Sequence, residues 1–386
     1  MDKIKRINVL HICAGSNDFG GVENYLYQHY KNIDHNKVHF DFLCCSGNSF
    51  RAKEEDAVFS DSSFFFLDIW PEKENKIIYF FRLLKELKSH FRQHSYDIIH
   101  VDTGVINIQV LCLIAVRVWT RSKFVSHSHG APVISNKVKR LFLPLMKTFI
   151  VHSSDLLLAC SEQAGRSVFG KSGLSSPKYH LMKNAIPAEE FIFKAPKREN
   201  IRENMDVGDN EIVYAFIGRL APVKNPQFLL KVFQGIQRRS ENSKLWIIGD
   251  GPLGEEIKRQ CAEYGLEENV RFWGACNNVP DLMQAADALI FPSVSEGLGL
   301  VAIEAQAAGI RVYASNSVPR ETDISNLIHY LSLNDTAEYW ADFILEDMKD
   351  KIERRNMYEC ILRSGYDVHD TSIALQKYYL ELMKRP

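Results

Sequence analysis

The sequence predicts an α/β protein of two tandem domains, each a mostly parallel sheet with helices on both faces. Three observations lead there. Short β-rich runs alternate with helical patterns through the first half, a polar and charged stretch at 188–211 interrupts them, and the alternation then starts afresh. A chain of 386 residues, at roughly 150 per domain, has room for two such units. With 46% hydrophobic and 25% charged residues the composition is that of a folded protein, which excludes disordered and fibrous classes.

In order, residues 7–13 (INVLHIC) form a buried strand, 22–30 a helix, 38–44 a strand and 64–67 another. Residues 77–91 (IIYFFRLLKELKSHF) place apolar side chains at i, i+3, i+4 and i+7 and predict a helix. Strand 97–101, helix 105–119, strand 124–128, strand 156–160 and helix 162–169 follow. After the expected connector at 188–211 come strand 212–217, helix 226–240, strand 244–248, helix 253–264, strand 270–273, helix 280–286 and strand 288–291. Helices at 299–308, 337–363 and 372–383 close the chain. Tandem α/β domains create a cleft, and reactive groups belong at the carboxyl ends of strands facing it.

Charge sets limits on partners. Lys and Arg number 47 against 48 Asp and Glu, so the basic excess of a nucleic-acid binder is absent and no nucleic-acid partner is expected. The balance is uneven: residues 101–150 hold seven basic side chains and one acid, Asp102. Within that region Val138, Leu141, Phe142 and Leu145 recur at helical spacing beside Lys137, Lys139, Arg140 and Lys147. A surface helix with an apolar core face accounts for the pattern, and so does a basic amphipathic surface resting on anionic membrane. The longest apolar run, 104–116, is too short and too interrupted by Asn107 and Gln109 to span a bilayer. The basic opening reads as the approach to the first strand rather than as a signal peptide. None of the eight cysteines forms a C-x-x-C pair, so a reducing cytoplasm is the natural compartment, with peripheral membrane attachment as an extension of the basic region.

The most specific run is 292–304, PSVSEGLGLVAIE, directly after the strand ALIF. Glu296 and Glu304 lie eight residues apart with Gly297 and Gly299 between them at a helix start. The N–H groups of Gly299, Leu300 and Val301 have no partner inside the helix and can cradle a phosphate. Glu304, further into the helix, suits a diol such as a ribose. This run resembles the glutamate, seven residues, glutamate signature of the retaining, nucleotide-sugar-dependent glycosyltransferases of family 4. SNDFGGVE at 16–23, FIGRLAPVKN at 216–225 and IIGDGP at 247–252 are similar to further motifs of that family, in the same order.

The resemblance implies the GT-B fold: two Rossmann-like domains facing a cleft, here 1–188 on the acceptor side and 189–365 binding the nucleotide sugar. The closing segment, 366–386, would cross back onto the first domain. It implies that Arg219 and Lys224 meet the departing diphosphate, and residue chemistry agrees, since both follow a buried strand end. Gly20 and Gly21, lacking a Cβ, would let the backbone approach the donor. Glu296 and one histidine of the run VSHSHG (125–130) would bind sugar hydroxyls; His127 and His129 share a strand face, and His129, next to Gly130, matches the family better. No D-x-D pair stands at a strand end, so neither metal nor cofactor is expected. The expected partners are a UDP-sugar donor and a glycan or lipid-linked acceptor. A small soluble acceptor such as malate is the alternative within enzymes, a nucleotide-sugar epimerase or glycan phosphorylase is a remoter one, and a silent nucleotide-sugar-binding scaffold is the alternative outside them. Two departures stand out: Asn184, Ala185, Ile186, Pro187 replaces the family's Asn-Gly-Ile-Asp, and Arg311 occupies a position before a buried strand with no physical account beyond pairing with a carboxylate.

Overall fold

The computed structural model describes residues 5–13, 21–45, 56–67, 69, 76–130, 137–350 and 353–385. The chain divides into two compact units, Met1–Ala185 with Val368–Pro386, and Ile186–Asp367.

The first unit contains β1 (Ile7–Cys13), α1 (Gly21–Asn32), β2 (Val38–Cys44), β3 (Phe64–Phe66), α2 (Lys76–Gln93), β4 (Ile98–Asp102), α3 (Ile106–Trp119) and β5 (Lys123–Ser128). It continues through α4 (Lys137–Ser153), β6 (Leu156–Ala159), α5 (Glu162–Leu174) and β7 (Tyr179–Leu181). Seven parallel strands run in the order β3-β2-β1-β4-β5-β6-β7. Six of the seven β1 residues are buried, as a strand covered on both faces requires. On one face α2, α3, α4 and α5 pack side by side over Leu10, Ile12, Ile99, Val101 and Phe124. On the other lie α1 and the last helix, α14 (Val368–Lys384, numbered in chain order), which buries Leu375, Tyr379 and Leu382 against Val9, Phe40 and Ile98. Gln109, one of the polar residues interrupting the apolar run of α3, is buried and donates to Thr103 O at 2.7 Å and His127 O at 3.0 Å, tying together the ends of β4 and β5.

The second unit contains α6 (Ala188–Phe191), α7 (Ala195–Asn204), β8 (Ile212–Ile217), α8 (Pro226–Gln237), β9 (Ser243–Ile248), α9 (Gly254–Glu263), β10 (Val270–Gly274), α10 (Val279–Ala285) and β11 (Ala288–Phe291). After these come α11 (Leu300–Ala307), β12 (Arg311–Ser315), β13 (Ile328–Leu331), α12 (Ala337–Asp347) and α13 (Tyr358–Arg363). Six parallel strands take the order β10-β9-β8-β11-β12-β13.

Two expectations need correction here, and a third finds its partner. Residues 188–211 are not a free connector: they fold into α6 and α7, whose Arg198 and Arg202 grip the end of α10. Arg198 donates to the carbonyls of Gln284, Ala285 and Ala286 at 2.8–3.0 Å, and both arginines pair with Asp287. The expected helix 337–363 is two helices, because the chain between them turns Arg354 inward to donate to the carbonyls of Met283, Gln284, Ala286 and Ala308. Cations at the carboxyl ends of α10 and α11 satisfy carbonyls that have no partner inside those helices. Burial and the neighbouring Arg198 pull the Arg354 guanidinium down to about 9. Arg311 also gains its physical account: its Nε lies 3.0 Å from Asp347 Oδ2 and its Nη2 donates to Asp350 O at 2.7 Å.

Candidate functional site

Each sheet changes winding direction once, and chemistry-bearing residues gather at both of those points, where the loops leaving neighbouring strand ends diverge. In the second unit the strands concerned are β8 and β11. The chain leaving β8 makes a short 3-10 turn at Pro222–Lys224, then Asn225 adopts a left-handed conformation (φ 57°) to begin α8 with Pro226 in its first turn. The chain leaving β11 is tied to that turn by Val294 N donating to Val223 O at 2.8 Å. This brings Lys224 Nζ to 2.5 Å from Glu296 Oε1, with the Glu296 side chain only 8% exposed. The Lys224 ammonium also stands 5.4 Å over the Phe291 ring.

Gly299 has φ 87°, a conformation L residues avoid, and a Cβ there would sit 3.2 Å from Phe291. It starts α11 with no side-chain cap, which leaves the first N–H groups, those of Leu300 and Val301, without a partner from a capping residue. Glu304, one turn on, makes no side-chain hydrogen bond among the described residues, and burial pushes its carboxyl up to about 7. Arg219 is exposed just beyond β8. The glycines of the GDGP turn are required by packing, since a Cβ on Gly249 would lie 2.1 Å from Gly218 O and one on Gly251 would lie 2.5 Å from Leu220 O. They let the loops after β8 and β9 interlock.

In the first unit the strands at the reversal are β1 and β4, and β5 lies beside β4. Asp102, the last residue of β4, is fully buried at the centre of a histidine cluster that no sequence spacing foretells. His11 Nδ1 approaches Asp102 Oδ2 at 2.7 Å and His129 Nε2 approaches Oδ1 at 3.0 Å. His100 Nε2 and His127 Nδ1 lie 3.1 Å apart, and His100 Nδ1 lies 2.6 Å from Tyr379 Oη of α14. Tyr25 of α1 packs its ring edge-on to His127 and His129. Burial acting alone would raise the Asp102 carboxyl, yet His100 and His11 hold it well below the usual carboxylate range. Burial lowers His100 well below the ordinary histidine range, against the opposing pull of Asp102, and lowers His127 to about 3 and His29 of α1 to about 3.

Proton counting then assigns the tautomers. An ionised carboxylate only accepts, so His11 donates from Nδ1 and His129 donates from Nε2. The buried Nδ1 of His129 and Nε2 of His127 have no hydrogen-bond partner among the described residues. A bare lone pair is the least costly group to leave there, and His129 therefore offers Nδ1 as an acceptor for a hydroxyl. Two sets, His11, His100, Asp102 and Asp102, His127, His129, are compact enough to hold a metal ion, although the contacts just given are hydrogen-bond separations.

Of the expected site residues, the structure thus brings Lys224, Glu296, Gly299, Leu300, Val301, Glu304 and Arg219 to one end of the second sheet, and His129 to one end of the first. Gly20 lies outside the described residues. Gly21 begins α1, and a Cβ there would meet nothing within 4 Å, so packing within the protein makes no demand for glycine. The signal for Asp102 was present as the lone acid among seven basic residues in 101–150, ending a strand level with His127.

Comparison with known proteins agrees with this fold. Residues 19–190 match the model for Glycosyltransferase Family 4 and residues 197–361 that for Glycosyl transferases group 1. EpsF of Bacillus subtilis (strain 168), itself assigned as a glycosyltransferase by inference, is 29% identical over 96% of both chains. The Escherichia coli UDP-Gal:alpha-D-GlcNAc-diphosphoundecaprenol alpha-1,3-galactosyltransferase is 26% identical over 61% of this chain and 63% of its own. The crystal structure of Anabaena HepE in complex with UDP superposes with a TM-score of 0.71 at 17% identity, covering 97% of this chain and 100% of that one, a likeness of fold. With both family models matched in order and a relative aligned almost from end to end, the chain belongs to the family 4, group 1 glycosyltransferases of GT-B fold.

Proposed function

We propose that the protein is a retaining, metal-independent glycosyltransferase that moves a hexose or N-acetylhexosamine from a UDP-sugar to a hydroxyl of a lipid-linked glycan intermediate in surface polysaccharide assembly. The observation that carries this reading is the Lys224–Glu296 pair beside the uncapped start of α11 and the Glu304 carboxyl, which has no side-chain hydrogen bond among the described residues. Lys224, Arg219 and the N–H groups of Gly299, Leu300 and Val301 supply positive potential where the bond from anomeric carbon to diphosphate breaks. The departing phosphate oxygen takes the proton of the acceptor hydroxyl as that hydroxyl bonds to the same face of the sugar, so configuration is kept. Glu304 accepts from the ribose hydroxyls. Glu296 and the lone pair on His129 Nδ1 orient the sugar. Gly20 and Gly21 permit close approach of the backbone to the donor.

UDP and a polyprenyl-linked acceptor are supported by the Escherichia coli relative, whose name specifies both UDP-Gal and a diphosphoundecaprenol substrate. The HepE complexes with UDP and with UDP-glucose point the same way for the donor. The eight cysteines are free, five of them buried, which suits a reducing cytoplasm. The test is nucleoside diphosphate release from UDP-, GDP- and ADP-sugars, with and without a polyprenyl-diphosphate-linked acceptor and with EDTA. UDP release that depends on the lipid acceptor and survives EDTA is expected. Release with small soluble acceptors alone refutes the acceptor assignment, and a drop of about a hundredfold on chelation, restored by magnesium, refutes the metal-independent site.

A further inference from the structure

We infer that the outer face of α2, α3 and α4 docks the protein on a bilayer surface containing anionic lipids. Among the described residues fourteen large hydrophobic side chains are exposed, and eight of them lie on these three helices or on Val105 just before α3. Single exposed apolar residues are ordinary in any protein, but a concentration on adjoining elements is not. The three helices are neighbours in one layer, α2 against α3 and α3 against α4, and Lys88 Nζ of α2 stands 5.7 Å over the Trp119 ring of α3. Phe81 is 71% exposed, Val118 65% and Leu145 68%, more than an amphipathic helix resting on its core allows. In α4, Phe142, Leu145 and Phe149 form an exposed stripe at i, i+3 and i+7 while Ile150 is fully buried in the core. The helix is apolar inward and outward, and the outward stripe has no internal purpose.

Charge selects the occupant. These helices carry ten Lys and Arg against a single acid, Glu86. A second copy docked through the same face would set like charge against like across a two-fold axis. A surface of anionic headgroups above an acyl interior complements both the charge and the apolar side chains. No helix of the described residues is long and apolar enough to cross a membrane, so attachment is from one side. The inference stands on first-unit residues outside the nucleotide chemistry; if the acceptor is lipid-linked, this face keeps the enzyme at the surface where that acceptor resides.

The experiment is co-sedimentation of the full chain with vesicles of phosphatidylcholine alone or mixed with phosphatidylglycerol, at low and high salt. Two variants are compared with wild type: Phe81→Ser, Val118→Ser, Leu145→Ser, and Arg82→Glu, Lys85→Glu, Arg121→Glu. Wild type is expected to sediment with the anionic vesicles only and to be released by salt. Each triple variant is expected to lose about tenfold or more of the vesicle-bound fraction at unchanged UDP affinity. Variants that keep a native circular dichroism spectrum and sediment like wild type overturn the inference, as does wild type that ignores anionic vesicles. A wild-type dimer in sedimentation velocity, abolished by the serine variant, also overturns it, because the face is then a self-interface. Should a variant misfold, hydrogen exchange of wild type with and without vesicles decides: protection of α2 and α4 supports the docking face, and its absence refutes it.

Discussion

The two sheets turn over at equivalent points of their winding, yet the residues gathered there have opposite character. The first unit concentrates imidazoles around one buried carboxylate, which His11 and His129 hydrogen-bond, and what it presents outward is lone pairs. The second presents an ammonium, uncapped N–H groups and a carboxyl that burial holds near half-protonation at neutral pH. On the proposed function, the same topology would serve hydroxyl recognition on one sheet and diphosphate stabilisation on the other. The winding determines where a site sits, and the residue type at strand ends determines which chemistry it does.

That contrast is most easily broken with acid, where the largest effect is expected. Twelve of the thirteen histidines belong to the first unit. His29 and His127 are held neutral to about pH 3 in the folded state, so between that value and the ordinary histidine range the unfolded chain binds more protons than the folded one. Stability of the first unit must then fall as pH drops below about 6.5, by about 1.4 kcal/mol per pH unit for each such histidine, or about 4 kcal/mol for the pair by pH 5. Asp102 adds nothing in this window, because its depressed carboxyl is ionised in both states until the pH approaches 4. Glu304 has the reverse sign: its raised value means the folded state binds the extra proton, so acid relieves a cost in the second unit between pH 7 and about 4.3. Hydrogen exchange at pH 7 and pH 5 should show first-unit strands losing protection while β8 and β11 do not. Uniform loss across both sheets would mean that the histidine cluster is not what sets acid sensitivity.

The next effect sharpens the assignment of the diphosphate to the second unit. Replacing Lys224 with Ala removes a charge-assisted contact worth about 1.5 to 3 kcal/mol, or about 10- to 150-fold in transition-state stabilisation. The variant should lower kcat/KM for donor turnover by that factor and leave circular dichroism unchanged. Unchanged kinetics in the folded variant would reduce Lys224 to a partner that merely neutralises Glu296.

These differences were unevenly legible beforehand. The second-unit site was readable because it is local: Glu296, Gly299 and Glu304 fall within nine residues, and Arg219 and Lys224 within six. The first-unit cluster takes His11, Asp102, His127, His129 and Tyr379 from four separate parts of the chain, and no spacing connects a strand near residue 11 with a helix near residue 379. The long strands and amphipathic helices were legible from periodicity and the short strands β3, β6 and β11 from being wholly apolar, whereas β7 (YHL) and β13 (IHYL) mix a histidine into three or four positions and show neither signal. The stretch 188–211 looked like a connector because its composition is charged. Its charges serve as caps, since Arg198 and Arg202 are spent on the carboxyl end of α10, and such a use shows only once the partner helix is placed. Arg354 misled in the same way, its inward turn breaking a segment whose pattern alone read as one helix.

The smallest predicted effect concerns Glu304, where the two units differ in how a buried acid is treated. Asp102 is surrounded by four histidines that keep it ionised, whereas Glu304 has no cation beside it among the described residues and sits near about 7. If its carboxylate accepts hydrogen bonds from the ribose, the nucleotide binds the ionised form better, and UDP affinity should rise as pH goes from 6 to 8. The gain is limited by the protonated fraction: at pH 6 roughly one site in ten is ionised and at pH 8 roughly nine in ten, so an obligatory contact gives at most about tenfold, or about 1.4 kcal/mol. A carboxylic acid still accepts through its carbonyl oxygen, so a few-fold change is the realistic expectation. Glu304→Gln keeps one acceptor oxygen, cannot ionise, and should flatten this dependence while leaving affinity at pH 6 close to wild type. Isothermal titration with UDP at three pH values, on wild type and the glutamine variant, reads both slopes. Parallel slopes in the two proteins would move the pH dependence to the nucleotide's own phosphate and would leave Glu304 as an acid that burial keeps protonated without a ligand to hold.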